Sequence, residues 1–161
     1  MASMMNAHRS IKKWSGSLNI DTTMKQLQKQ LKKLSCGNAL ITFSSLTTDA
    51  KNYDNMHESQ LVAMGFCSEL TLDTAAFSCL SKLSEMTDSN FDAQGNYTKT
   101  LTNLADFMGN LFKRYPQIDM QPFLSYICHM IRDNEQFTLA YVMHTVLKTM
   151  YGWTDIDLAH L

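Results

Sequence analysis

The sequence predicts an all-α fold of about seven helices in antiparallel pairs, and three observations carry that expectation. Apolar residues recur at helical spacing along most of the chain, and nothing alternates at a period of two for long. Turn formers are scarce: 6 Gly and 2 Pro stand against 12 Met, 8 Phe and 6 Tyr in 161 residues. The joints between periodic segments are short, which forces adjacent helices antiparallel. A chain of this length is one domain by default. It can bury roughly 70% of the surface its unfolded form would expose, enough for a core without metals or disulfides. No apolar run reaches the roughly 18 residues of a membrane helix, and the N-terminus has no apolar signal region, so no membrane partner is expected.

Residues 1–20 read as a flexible lead-in with Ile11 and Trp14 as anchors, and 21–161 as a single α-helical repeat domain. Asp21-Thr22-Thr23 offers caps for a helix through Leu34, with Met24, Leu27, Leu31 and Leu34 as its apolar stripe. Gly37-Asn38 stops it and opens the next, about 39–52, on Leu40, Ile41, Phe43, Leu46 and Ala50. Ser44, Ser45, Thr47 and Thr48 are poor helix formers and weaken its second half. After a turn at Tyr53-Asp54-Asn55, residues 56–67 form a helix on Leu61, Val62, Met64 and Phe66. Residues 71–86 form another, capped by Thr71 or Asp73, with Leu72, Ala75, Phe77, Cys79, Leu80 and Leu83 apolar. The breaker-rich stretch 87–96 is a loop inside the domain, since its length is within the range of long loops.

The segment 101–153 carries three further helices. Leu101, Leu104, Ala105, Met108, Leu111 and Phe112 fall on one helical stripe. Pro116 ends it and pushes Tyr115 out of the α region. The second starts near Asp119 as N-cap, with Pro122 in its first turn and Phe123, Leu124, Ile127, Met130 and Ile131 apolar. Asp133-Asn134 breaks it. The third uses Phe137, Leu139, Val142, Met143, Val146, Leu147, Met150 and Tyr151, and stops at Gly152. Such successive helices suggest an α-solenoid of HEAT-like repeats. No repeat of fixed period is visible, which leaves a compact bundle as the alternative. Leu158-Ala159-His160-Leu161 stops in mid-pattern, so uncapped apolar surface is expected at that end.

Chemistry is harder to find. Cys36, Cys67, Cys79 and Cys128 form no C-x-x-C pair and read as a reduced, buried set, which favours an intracellular compartment. His57-Glu58 lacks the second histidine of a zinc-protease helix, because Leu61 stands in its place. Adjacent Cys128 and His129 do not face each other on a helix. His129 and His144 have no metal-ligand spacing. No phosphate-binding glycine loop or nucleophile elbow occurs. No catalytic residue, metal or cofactor is therefore expected.

Charge is split. Residues 1–35 hold seven basic residues against Asp21 alone, while the rest holds seven basic and fourteen acidic. Lys25, Lys29, Lys32 and Lys33 share one helical stripe. They read either as a solvated face or as a docking face for phosphates or an acidic partner. No aromatic residue interleaves with them, which weakens the nucleic-acid version.

The run Leu104-Ala105, Phe107, Gly109, Phe112-Lys113-Arg114-Tyr115-Pro116, Ile118-Asp119-Met120, Leu124 and Tyr126-Ile127 resembles the central region of the THO complex subunit 2 family. Leu139, Val146, Met150 and Gly152 keep the spacing of that family's later segment. Upstream, Lys33-Leu34-Ser35, Tyr53-Asp54-Asn55 and the helix at Leu72–Leu83 look like its preceding part, so the resemblance covers roughly 33–153. It departs in three places. The family's tryptophan is missing near Thr98–Leu101, Gln117 looks inserted, and His144-Thr145 stands where the family has Lys-Glu. The resemblance implies a non-catalytic scaffold with a HEAT-like middle-domain fold in a nuclear complex that supports mRNA processing and export. It implies other THO subunits and a nuclear DEAD-box ATPase as partners. The alternative is direct RNA binding by the basic N-terminal helix.

Overall fold

The computed structural model describes residues 9–14, 24–86, 91–92, 94–134 and 138–152. Among these stand seven α-helices: α1 (9–14), α2 (Met24–Asn52), α3 (His57–Ala63), α4 (Glu69–Ser84), α5 (Lys99–Arg114), α6 (Gln121–Asn134) and α7 (Thr138–Tyr151). Two 3-10 turns, Asp54–Met56 and Met64–Phe66, flank α3. There is no strand among the described residues, only one isolated antiparallel bridge between Phe91 and Tyr97. The all-helical class expected from the sequence stands.

Ile11 and Trp14 of α1 are buried, as expected of anchors, and Trp14 Nε1 donates to the Leu27 carbonyl at 3.1 Å. The proposed caps at 21–23 lie outside the described residues. The expected stop at Gly37-Asn38 is a kink: Asn38 leaves helical geometry (φ −164°, ψ 76°), but helix resumes at once. The second arm of α2 persists to Asn52 despite its hydroxyl residues. Thr42 Oγ1 donates to the Asn38 carbonyl and Thr48 Oγ1 to the Ser44 carbonyl, each at 2.8 Å, so these hydroxyls are satisfied within the helix. Phe43, Leu46 and Ala50 fill the core, whereas Leu40, expected there, is 52% exposed.

The helix expected over 56–67 is shorter. Gly65, a poor helix former, lies in the turn where α3 tightens to 3-10, and Phe66 is turned outward. Cys67 N–H closes that turn on the Met64 carbonyl at 2.8 Å. α4 begins two residues earlier than expected. Ser68, extended at φ −77° and ψ 161°, is its N-cap, so neither Thr71 nor Asp73 caps it. The N–H groups of Thr71 and Leu72 both reach the Ser68 carbonyl. Leu72, Ala75, Cys79 and Leu83 are buried, but Phe77 faces solvent.

α5 follows its expected stripe, every member of which is buried, and Phe107 and Gly109 are buried as well. Tyr115 leaves the helix at φ −124° and ψ 73° before Pro116. Its hydroxyl donates to the Leu61 carbonyl at 2.6 Å, tying the end of α5 to α3. Asp119 lies two residues before α6, and its Oδ1 accepts the Gln121 N–H at 2.8 Å. Phe123 and Ile127 are buried, while Leu124 is exposed. α6 runs through the expected breaker to Asn134; Phe137 lies outside the described residues. α7 buries Leu139, Val142 and Val146 and ends at Gly152 (φ +71°), whose N–H bonds the Lys148 carbonyl. Residues 153–161, with the pattern expected to be uncapped, lie outside the described residues.

The core centres on α5. The most extensive packing joins α5 with α7 and α2 with α4, alternate helices rather than consecutive ones, and α2, α3 and α4 all reach α5. The loop before α5 is held by a ring stack. Phe91 and Tyr97 lie 5.0 Å apart between centroids, and Tyr97 and Tyr141 of α7 lie 3.8 Å apart.

Candidate interaction surfaces

Two surfaces stand out. The first is the lysine stripe. Lys25, Lys29, Lys32 and Lys33 are all exposed on the first arm of α2, opposite buried Leu27 and Leu31. That arm is fixed in rotation by Trp14 on the Leu27 carbonyl and by Gln28, whose Nε2 donates to the Val62 carbonyl at 2.9 Å. None of the four ammonium groups pairs with a carboxylate among the described residues. The structure thus brings all four sequence-selected residues to one open face.

The second surface was not foreseen. While α6 packs chiefly on α7, residues of α4 and of the start of α6 come together beside Phe112 near the C-terminal end of α5. The space left between them is a groove of about 280 Å³. Its floor is Phe112 and Phe123, whose ring centroids are 5.7 Å apart. Phe77 forms one wall at 59% exposure, and Ile118 and Pro122 form the other. Asp73 and Asp119 stand at the rim, both exposed. Sequence reading placed Phe77 in the core, so its outward position carried no signal. Only the meeting of α4 with residues 112–123 creates the site.

The chemical candidates separate. His57 is buried, its Nε2 lies 2.8 Å from the Ala50 carbonyl, and its ring meets Phe107 edge-on at 5.3 Å. Glu58 turns outward to Arg114 Nη1 at 2.9 Å. The two therefore share no site. His129 and His144 are exposed. The cysteines are not the uniformly buried set expected: Cys36 and Cys128 are exposed and Cys67 half-buried, because 36 and 128 fall on outward helix faces. Cys79 is fully buried against Thr47 Oγ1 at 3.8 Å, and burial pushes its thiol up to about 12, which leaves it without nucleophilic thiolate. Among the described residues no group of three or more His, Cys, Asp or Glu could hold a metal ion, and no helix is long and apolar enough to cross a membrane.

What this architecture defines is a helical packing module, a layered set of helices that presents one basic face and one acid-rimmed apolar groove. The comparisons with known proteins then make the resemblance specific. The model of the Thoc2 family, described as a transcription- and export-related complex subunit, matches residues 31–105, just under half of the chain. The human THO complex subunit 2 is 25% identical over 125 residues, covering 77% of this chain and 8% of that protein. The same subunit from Arabidopsis thaliana is 21% identical over 124 residues, covering 76% and 7%. The chain is thus similar to THO complex subunit 2 of both animals and plants, and spans less than a tenth of the length of these relatives. The family match ends inside α5, upstream of the Phe112–Pro116 run; the alignments to relatives are longer than that match.

Proposed function

We propose that this chain is a non-catalytic scaffold module of a nuclear transcription-export assembly of the THO kind, supporting mRNA processing and export. The observation that carries this reading is the Thoc2 family match over 31–105, with THO complex subunit 2 relatives aligned over about three quarters of the chain. The packed helices of α2 to α7 suit a segment of a HEAT-like α-solenoid, a fold that offers extended ridged surfaces to partners. Its partners are other THO subunits and the nuclear DEAD-box ATPase. The test is titration calorimetry of the full chain against that ATPase at two salt concentrations. Saturable binding is the expected result; heats indistinguishable from dilution at low salt would sink the ATPase part of the reading.

A second reading has its own support in the open lysine face of α2. Four exposed ammonium groups on a rotationally fixed helix can follow a phosphate backbone, with RNA as the ligand. Affinity for single-stranded RNA would then fall with salt at a slope of about −0.7 per phosphate contact. Charge reversal at Lys29 and Lys32 would flatten that slope. An unchanged slope would return the stripe to a solvated surface.

A further inference from the structure

We infer that the groove between α4 and α6 is a docking site for a partner protein segment that carries bulky apolar side chains flanked by Lys or Arg. Nothing in this rests on the assembly assignment or on the lysine face. Three properties of the groove select that occupant.

The first is size. About 280 Å³ is near the lower bound of small-molecule pockets, which begin at roughly 300 Å³. It is suited to one or two side chains inserted from outside. The second is the lining. Phe112 and Phe123 are 3% and 1% exposed and form a rigid apolar floor, while Phe77 is 59% exposed. A large aromatic held open to water beside a preformed apolar floor is the usual composition of an interface anchor. The side chain of Phe77 gains burial only when something covers it. The third is charge. Asp73 and Asp119 are the charged lining groups, and both are acidic. Asp119 also accepts the Gln121 N–H, so its carboxylate answers the positive end of α6 and leaves no anion site there. The rim therefore favours cationic flanks around an apolar anchor and repels acidic ones. An amphipathic helix with anchors one turn apart meets all three conditions.

The experiment uses the full chain and a fluorescein-labelled synthetic helical peptide with two leucines one turn apart set among lysines. Two control peptides replace the lysines by glutamates or the leucines by alanines. Anisotropy titration is expected to show saturable binding of the lysine peptide, weakened about tenfold or more in either control and in Phe77→Ala. Phe77 is largely exposed, so this variant keeps its fold, which circular dichroism checks. Asp73→Lys is expected to weaken the lysine peptide and strengthen the glutamate peptide. The inference is overturned by any of three results: no saturable binding, equal affinity of the lysine and glutamate peptides, or unchanged affinity in Phe77→Ala.

Discussion

Replacing Gly109 by alanine tests how closely α5 and α7 are packed. A Cβ at this position would lie 2.6 Å from Thr149 Cβ and 3.0 Å from both Thr149 Cγ2 and the Val146 carbonyl oxygen. Carbon atoms prefer separations of about 3.5–4.0 Å. Thr149 Cβ is bonded to the backbone, so no rotamer change removes it. The two helices must part by about 1 Å, and a gap of that size forfeits about a quarter to a half of each dispersion contact across it. Overpacking of this kind costs about 1–3 kcal/mol. Against it stands a helix-propensity gain of about 1 kcal/mol for Gly→Ala. Because α5 and α7 form the most extensive helix pair, we expect the upper part of the cost and a net loss of about 1–2 kcal/mol. In a chain of this size that lowers Tm by roughly 2–8 °C. Urea denaturation followed by circular dichroism measures it. Gly37→Ala is the control, since nothing lies within 4 Å of a Cβ there and only the propensity gain applies. The double variant Gly109→Ala/Thr149→Gly should lose less than the two single losses added. If Gly109→Ala proves as stabilising as Gly37→Ala, the close approach of α5 and α7 is wrong.

Phe112→Ala should cost about 3–5 kcal/mol, since the ring is 3% exposed; a loss under about 1 kcal/mol in the same denaturation assay would contradict its burial. Gln60 is fully buried, and neither side-chain polar atom has a hydrogen-bond partner among the described residues. Gln60→Met, of similar shape, should therefore stabilise by about 1–3 kcal/mol, and a destabilised variant would mean the amide is satisfied in solution. The carboxyl of Asp106 is raised above its ordinary value of 3.8 by burial, which Thr149, His57 and Lys148 only partly offset. A carboxyl raised by folding favours the native state while protonated and loses that contribution as pH rises through its folded value. Asp106→Asn should thus be more stable than the parent at neutral pH, with the difference shrinking as pH falls toward 3.8; a difference independent of pH would refute this.

The parts of the fold legible in the sequence are those where one physical signal dominates. α5 has a single apolar stripe and a proline just past its end, and every expected core residue is buried. Gly152 ends α7 because only a residue tolerant of positive φ fits there. Where several signals compete, the reading slips. Ser68, Thr71 and Asp73 are all good caps, and their order along the chain does not say which one begins the helix. Apolar residues run around α4, so periodicity cannot tell buried Leu72 and Cys79 from exposed Phe77 and Leu70. Ser44, Ser45, Thr47 and Thr48 looked weakening, yet Thr48 is bonded to its own helix and Thr47 is buried against Cys79. The lysine stripe was legible because four charges on one helical face need only the period of that helix. The groove was not, because Phe77 and Ile118, far apart in sequence, come to line one space only in the folded chain.

The central place of α5 bears on the order in which the protein is made. Helices α2, α3 and α4 are complete by Ser84, and each of them packs against α5. A nascent chain emerging from the ribosome therefore lacks that packing on α2, α3 and α4 until residue 114 has been translated. At about 5–20 residues per second that interval lasts a few seconds. A piece cut at residue 105, where the family match ends, would lack Met108, Leu111 and Phe112. Vectorial synthesis thus puts the helix that three earlier ones share after all of them in time, and its own largest partner, α7, later still.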